Sequence, residues 1–455
     1  LFRRILIANR GEIALRILRT CRALGIETVV AHSEADRGAP WLRQADRTIS
    51  IGPARTEDSY LDETSVLEAA EQCDCQAIHP GYGFLAENAR FAARCEQQGI
   101  AFIGPPAGAI RRMGDKLEAK RTMAAAGLVP IPGPLRPLRD VESALRAAAE
   151  VGYPVLLKAV SGGGGRGMRR CDSEAELRRW FPVASREAEK AFGDPSLYLE
   201  VFLEGGRHIE FQVLADAFGN AIHLGERDCS IQRHHQKLVE ESPSVVVDGA
   251  LRSRVGETVA RAVAGAGYRN AGTVEFLRSQ EGTLYFMEMN TRLQVEHPVT
   301  EMVTGTDLVA LQIRIAAFEP LPLEQENIEL RGHAVEFRIN AEDPERGFRP
   351  DPGTITAFVP PPERLGEARV RWDSPIEAGY RIPPHYDSLV GKLVVHAADR
   401  NRALSAAREC LERIRIEGVH TTIGFHRQLL SDPDFLRGAY DLGFLGRKGL
   451  AQPVR

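Results

Sequence analysis

Residues 3–32 constrain the fold more than any other stretch. RRILIAN (3–9) is a short apolar run, a helical pattern follows at Ile13, Ile17, Leu18 and Cys21, and Gly25 closes it before a second apolar run, TVVAH (28–32). This is strand, helix, strand. AIHPGYGF (77–84) and AFIGP (101–105) continue the theme. Residues 1–112 are therefore expected to form an open α/β domain with a parallel sheet. At 455 residues the chain exceeds one ordinary core, so two or three domains are expected.

GDKLEAKRTMAAAG (114–127) predicts a helix linking the first domain to the rest: Asp115 can cap it, Glu118 completes a capping box and Gly127 stops it. PIPGPLRP (130–137) reads as a linker. A small unit follows over 131–203, with strands near 155–160, 167–171 and 197–203. Residues 204–446 alternate strands and helices in a larger α+β domain. A net charge of −4 gives no basic footprint for nucleic acid. No apolar run reaches the roughly 20 residues of a membrane span, and LFRRILIANRGE reads as a strand start rather than a signal peptide. The seven cysteines are scattered without a CxxC pair, which argues for core packing in a reducing compartment and against zinc.

VLLKAVSGGGGRGMRR (155–170) contains GxGxxG at Gly162, Gly164 and Gly167. A dinucleotide site needs a helix directly after that loop, and MRRC (168–171) reads instead as a strand. Met168 also stands where a Walker lysine would be required. A glycine run between strands suits a flap whose bare N–H groups, at Gly163, Gly164 and Gly165, approach phosphate oxygens. An ordinary mobile hairpin would carry the same letters. Lys158 and Lys116 could add positive charge to the same phosphates.

In MEMNTRLQVEHPVTE (287–301), the polar residues Glu288, Asn290, Arg292, Gln294 and Glu296 alternate with apolar ones. An extended chain would line them along one face, whether as a site or as a solvated edge strand. TVEFLRSQEGTLYFMEMN (273–290) predicts a hairpin turning at 279–282 that brings Glu275 near Glu288. Two close carboxylates suit Mg²⁺, which prefers oxygen ligands. HAVEFRINAEDP (333–344) sets Glu336, Arg338 and Asn340 on one face of a half-buried strand; Arg338 could hold an anion or pair with an acid. ERDCSIQRHHQKLVEESP (226–243) carries Arg227, Gln232, His234, His235 and Lys237, and reads as a polar loop lining a nucleotide pocket. Adjacent His234 and His235 lack the i, i+4 spacing of a helical metal pair.

IANRGEIALRILR (7–19), HPGYGFLAEN (79–88), KAVSGGGGRGMR (158–169), ERDCSIQRHHQK (226–237), EMNTRLQVEHPVTE (288–301) and RINAEDP (338–344) together resemble biotin carboxylase, the ATP-grasp enzyme or domain of biotin-dependent carboxylases. The resemblance runs along essentially the whole chain. It implies a Rossmann-like N-terminal domain (1–112), a linker helix (113–130), an ATP-grasp lid (131–203) and a C-terminal ATP-grasp domain (204–446). It implies that Lys116, Lys158, His208, Gln232, His235 and the glycine run contact ATP, with adenine meeting backbone at Glu200 and Leu203. Glu275, Glu288 and Asn290 would hold magnesium, or manganese in its place. Lys237, Arg292, Gln294, Val295 and Glu296 would cradle bicarbonate, with Glu296 as its base beside Arg292, and Tyr82 and Arg338 would lie near biotin.

The implied chemistry is ATP-dependent carboxylation of carrier-bound biotin through carboxyphosphate. It is the first half-reaction of a carboxylase such as acyl-CoA carboxylase, in fatty acid biosynthesis. Implied partners are a biotin carboxyl carrier protein or domain, a carboxyltransferase subunit or domain, and a second copy in a homodimer. A cytoplasmic address is expected, or a mitochondrial matrix one after removal of a transit peptide. Biotin is expected on a separate carrier protein or on a part of the protein outside this sequence, because no MKM-like biotinylation motif occurs in it. The chain departs from the family pattern at its shortened glycine run, at Val201, at Ala23 and at VPPPERLGEAR (359–369), the last two near the family's dimer interface. The rivals are a carbamoyl-phosphate-type ligase, a catalytically silent nucleotide-binding domain and a dinucleotide oxidoreductase. The acyl acceptor is not written in these residues.

Overall fold

The computed structural model describes residues 1–161 and 168–450. The predicted glycine contacts at Gly163, Gly164 and Gly165 lie outside the described residues. In the first hundred residues, strands β1 (Arg4–Ile7), β2 (Glu27–His32), β3 (Arg47–Ser50), β4 (Ala77–His79) and β5 (Ala101–Phe102) form one parallel sheet in the order β3-β2-β1-β4-β5. Helix Gly11–Ala23 follows β1 as its apolar spacing predicts. Ile5, Leu6 and Ile7 are wholly buried, as expected where helices cover both faces of a parallel sheet.

The predicted helix over 114–127 is observed as Lys116–Ala125. The Asp115 carboxylate accepts from the Leu117 and Glu118 N–H groups and separates it from a preceding helix, Ala107–Gly114. Next come β6 (Val155–Ala159), β7 (Arg169–Cys171) and β8 (Leu197–Val201), a three-stranded antiparallel sheet with β6 in the middle. Helices Val141–Val151 and Glu174–Phe192 pack on it around a core of its own. The glycine run joins β6 to β7.

The remainder is built on a nine-stranded antiparallel sheet. It contains β9 (Arg207–Ala215), β10 (Ala221–Arg233), β11 (Gln236–Ser242), β12 (Asn270–Arg278), β13 (Leu284–Asn290) and β14 (His333–Asn340), in the order β13-β12-β9-β10-β11-β14. Strands Leu389–Ala397, Ala368–Asp373 and Arg364–Leu365 complete it beyond β14. Leu214, Ile222, Ala271 and Leu308 from this part share a core with helix Gly11–Ala23, so the first sheet is packed against the large one. Six of the cysteines are buried, Cys73 is partly so, and none forms a disulfide.

Three expectations change. The segment 226–243 is not a loop: it is the hairpin β10–β11, turning at His234 and His235 with φ of 47° and 65°. Two left-handed residues suit the twist of a two-residue hairpin; without Asn or Gly, the letters hide it. Extended structure in 287–301 stops at Asn290, and helix His297–Thr304 begins after Glu296. Strand β14 is not half-buried. It lies between β11 and strand Leu389–Ala397, and Glu336 is wholly buried.

Candidate active site

One cavity of about 1500 Å³ lies between the three-stranded sheet and the large sheet. Its lid side is lined by Lys116, Lys158, Glu200 and Leu203, and its floor by His208, Gln232, His235 and Lys237. Glu275, Glu288 and Asn290 enter from the β12–β13 hairpin, and Arg292, Gln294, Val295 and Glu296 from the turn after it. Tyr82 and Arg338 close one end. Every described site residue expected from sequence thus meets in one place. Ser161 and Met168, the described residues flanking the glycine run, line it too.

Register explains the carboxylates. Glu275 on β12 faces Glu288 on one side and Glu210 of β9 on the other, so three acids cross three adjoining strands in one row. Lys237 closes the row: its ammonium donates to Glu210 Oε2 at 2.6 Å, Glu275 Oε1 at 3.0 Å and Glu296 Oε1 at 2.5 Å. Burial works against its charge, but the three carboxylates outweigh that and raise it well above the ordinary lysine range. Burial likewise favours a neutral Glu296, yet Lys237 and Arg338 hold it below the ordinary carboxyl range. Glu296 is therefore an ionised, wholly buried carboxylate at neutral pH.

Arg338 Nε donates to Glu240 Oε1 at 2.6 Å and its Nη2 to Glu296 Oε2 at 2.9 Å. The structure shows this arginine ion-paired, with its guanidinium lining the cavity. Arg292, expected beside Glu296, is tied instead to Glu87 Oε2 at 2.9 Å and to the Gln294 Oε1 at 3.0 Å. The cations bound to Glu296 are Lys237 and Arg338. Lys116 pairs with Glu288, whose carboxyl is drawn down to about 2: burial opposes its charge and Lys116 outweighs it. On the lid, Lys158 donates to Glu200 Oε2 at 2.7 Å, and Lys120 of the linking helix contacts the other oxygen of the same acid. Burial, with Lys116 nearby, lowers Lys158 to about 8.

Glu275, Glu288 and Asn290 fit a hard divalent cation by donor chemistry, since all offer oxygen from adjoining strands. Glu210 joins them, one strand away. At the Tyr82 end, Gly81 adopts φ of 64°, and a Cβ there would lie 2.9 Å from Asn9 Nδ2. The Asn9 amide ties down both flanking carbonyls, donating to Pro80 O and Tyr82 O at 2.7 Å. The Tyr82 hydroxyl donates to Glu12, which also pairs at 3.0 Å with the wholly buried Lys392. Lys392 in turn donates to Val295 O at 2.8 Å. Sequence reasoning missed Glu210, Glu240, Glu12 and Lys392. A lone lysine in the apolar run LVGKLVVHA (389–397) was the available signal, because a buried ammonium requires partners.

Three family models match consecutive parts of the chain: biotin carboxylase, N-terminal domain, over residues 1–110; carbamoyl-phosphate synthase L chain, ATP binding domain, over 115–324; and biotin carboxylase C-terminal domain, over 336–447. The chain is 51% identical to a biotin carboxylase of Nostoc sp. over 98% of each chain. It is 49% identical to a pyruvate carboxylase subunit of Methanothermobacter thermautotrophicus, over 100% of this chain and 92% of that one. Among solved structures it is similar to the biotin carboxylase domain dimer of Hydrogenobacter thermophilus 2-oxoglutarate carboxylase with MgADP, ADP and bicarbonate. There the TM-score is 0.95 and the identity 47%, with both chains covered completely.

Proposed function

The chain belongs to the biotin carboxylase family, and from that premise we propose how its own residues divide the work of ATP- and bicarbonate-dependent carboxylation of biotin. The enzyme is an ATP-dependent ligase that forms a carbon–nitrogen bond. One observation carries the assignment of roles: a buried, ionised Glu296 held between Lys237 and Arg338 in the wall of the cavity.

Bicarbonate is a poor nucleophile until it loses its proton. Glu296 takes that proton; a positioned base contributes about 10²–10⁴-fold. Lys237, Arg292, Gln294 and the Val295 backbone bind the anion beside it. Lys116 and Lys158 hold the phosphates, with His208, Gln232 and His235, while backbone at Glu200 and Leu203 meets adenine. Glu275, Glu288 and Asn290 would hold magnesium, which would supply positive charge to the phosphates during transfer of the γ-phosphoryl group to bicarbonate. Carboxyphosphate forms away from bulk water, and the lid side of the cavity serves to exclude it. Arg338 holds the biotin anion and Tyr82 walls its pocket. The row of acids and amides in 288–296 thus runs from metal to carboxyl transfer.

The division into residues 1–112, 113–130, 131–203 and 204–446 is supported by the separate sheets and linking helix. Partners are a biotin carboxyl carrier, a carboxyltransferase and a second copy of the chain. The relatives named for whole carboxylases and for a domain dimer support this reading. We place the enzyme in the cytoplasm and its reaction as the first half-reaction of an acyl-CoA carboxylase. Among the described residues no helix is long and apolar enough to cross a membrane. The test is ADP release with Mg·ATP and bicarbonate, with and without biotin, for the native enzyme and Glu296→Gln. Biotin-stimulated turnover that the variant loses is expected. Turnover indifferent to biotin and raised by ammonia would move the chain to the carbamoyl-phosphate type.

A further inference from the structure

Behind Arg338, two acids face each other with too few donors. Glu240 on β11 and Glu336 on β14 are in-register partners of an antiparallel pair, so their side chains lie on one face at the shortest cross-strand spacing. Both are wholly buried. Glu240 Oε1 accepts from Arg338, but Glu240 Oε2 and both oxygens of Glu336 accept no hydrogen bond among the described residues.

The nearby cations are committed elsewhere. Arg338 is shared with Glu296, Lys392 is held by Glu12 and Val295 O, and Lys237 is held by Glu210, Glu275 and Glu296. Two adjacent ionised carboxylates without donors repel and lose hydration together. A single proton between them removes one charge and supplies the missing donor. Burial raises Glu240 to about 7 against the pull of Arg338, and raises Glu336 well above the carboxyl range against that of Lys392.

We propose that Glu240 and Glu336 share a proton at neutral pH and act as positioning residues, aiming Arg338 at Glu296 without neutralising it. This rests on the reading of Glu296 as the base and Arg338 as the holder of the biotin anion. When the bicarbonate O–H bond breaks, its proton forms a new O–H bond on Glu296 and the electron pair stays on bicarbonate. Glu296 is then neutral, and Arg338 has lost its strong counter-charge. Its positive charge is available to the biotin anion because Glu240 is already muted by the shared proton. The acid pair keeps the same proton throughout. A fully ionised Glu240 would hold Arg338 neutralised through that step.

The experiment uses the full chain without nucleotide, by isotope-edited infrared spectroscopy near neutral pH. The carbonyl stretch of a protonated carboxyl group is expected in the native protein and reduced in both Glu240→Gln and Glu336→Gln. Glu240→Ala is expected to lower biotin-dependent turnover about 10–100-fold, as for other outer partners of working groups. Glu240→Gln, a neutral acceptor of the same shape, should recover most of that. If neither glutamine variant removes intensity, or if Gln at 240 is as damaging as Ala, the proposal is overturned. Should the alanine variant fail to fold, the infrared comparison of the glutamine variants decides alone. A Glu296→Gln enzyme that still turns over bicarbonate would remove the functional reading while leaving the infrared band in place.

Discussion

Two arginines in this molecule each span two glutamates, one in the wall of the cavity and one on the outside of the lid. Arg338 reaches Glu240 and Glu296 at 2.6 and 2.9 Å. Arg178 reaches Glu142 and Glu174 at 2.6 and 3.0 Å. The distances barely differ, but the environments do: the acids around Arg338 are wholly buried, while those of Arg178 are 57% and 63% exposed. In water such a pair is screened and contributes almost nothing; in the interior the same geometry decides which groups carry charge. The regions also differ in sign. The large sheet gathers Glu210, Glu275 and Glu296 on one lysine, a surplus that favours a cation. The facing side supplies the cations instead: Lys158 of the lid, on Glu200, and Lys116 of the linking helix, on Glu288. A metal–nucleotide complex carries both signs, and it fits between them.

The harshest way to break this contrast is Lys237→Met. It leaves Glu210, Glu275 and Glu296 buried without their common cation. Removing one partner of a buried pair costs about 3–5 kcal/mol, and bicarbonate-dependent turnover should fall by at least about 10²-fold. Urea unfolding and ADP release measure the two effects. A loss below about 1 kcal/mol, the scale of an exposed pair, would mean that burial does not separate the two regions.

How much of this was legible in the sequence follows the same line. The first domain could be read because β1 and β2 are apolar runs with a helix and a glycine between them. The hairpin that sets Glu275 against Glu288 could be read because its turn and both strands are local. Arg292, Gln294 and Glu296 were found by an alternation that implied a strand, yet they reach the cavity from a turn. Lys392 and Val295, 97 residues apart, had no signature that could link them. Neither did Glu240 and Arg338, 98 apart, because β11 and β14 pair only after helices and other strands intervene. Charges that find partners through the sheet are invisible to local pattern; those on one hairpin are not.

A more gradual effect sharpens the comparison from the acid side. Lys116 holds Glu288 down to about 2, so mild acid leaves that pair ionised. Two buried histidines titrate before that pair does. Burial, aided by Arg16, lowers His79 to about 3; burial lowers His426 to about 4, although its ring donates to Arg338 O at 2.7 Å. Both folded values lie below the unfolded value near 6.5. The unfolded chain therefore binds more protons, and stability present in full above that pH is lost as pH falls toward each folded value. The slope is at most about 1.4 kcal/mol per pH unit for each histidine. Urea midpoints measured downward from neutrality should fall accordingly, and His426→Asn should flatten part of the slope. A flat profile over that range would mean that burial does not hold these two histidines neutral in the folded protein.

The smallest expected effect is the most direct test of the opening contrast. Arg178→Ala removes a guanidinium with two short contacts to carboxylates, as Arg338→Ala would. Around Arg178 water replaces what is lost: Glu142 and Glu174 are already mostly hydrated, and the arginine regains the rotamer freedom that two contacts restricted. The expected change is within about 0.5 kcal/mol, with turnover unaltered. Salt should not change it much, because little screened attraction remains to be lost. Thermal unfolding at low and high ionic strength measures it. A loss of several kcal/mol would show that the lid's outer helices depend on this bridge. Charge pairing at the surface would then shape the lid as strongly as pairing in the interior shapes the cavity, and contact distance, rather than burial, would rank the ion pairs of this protein.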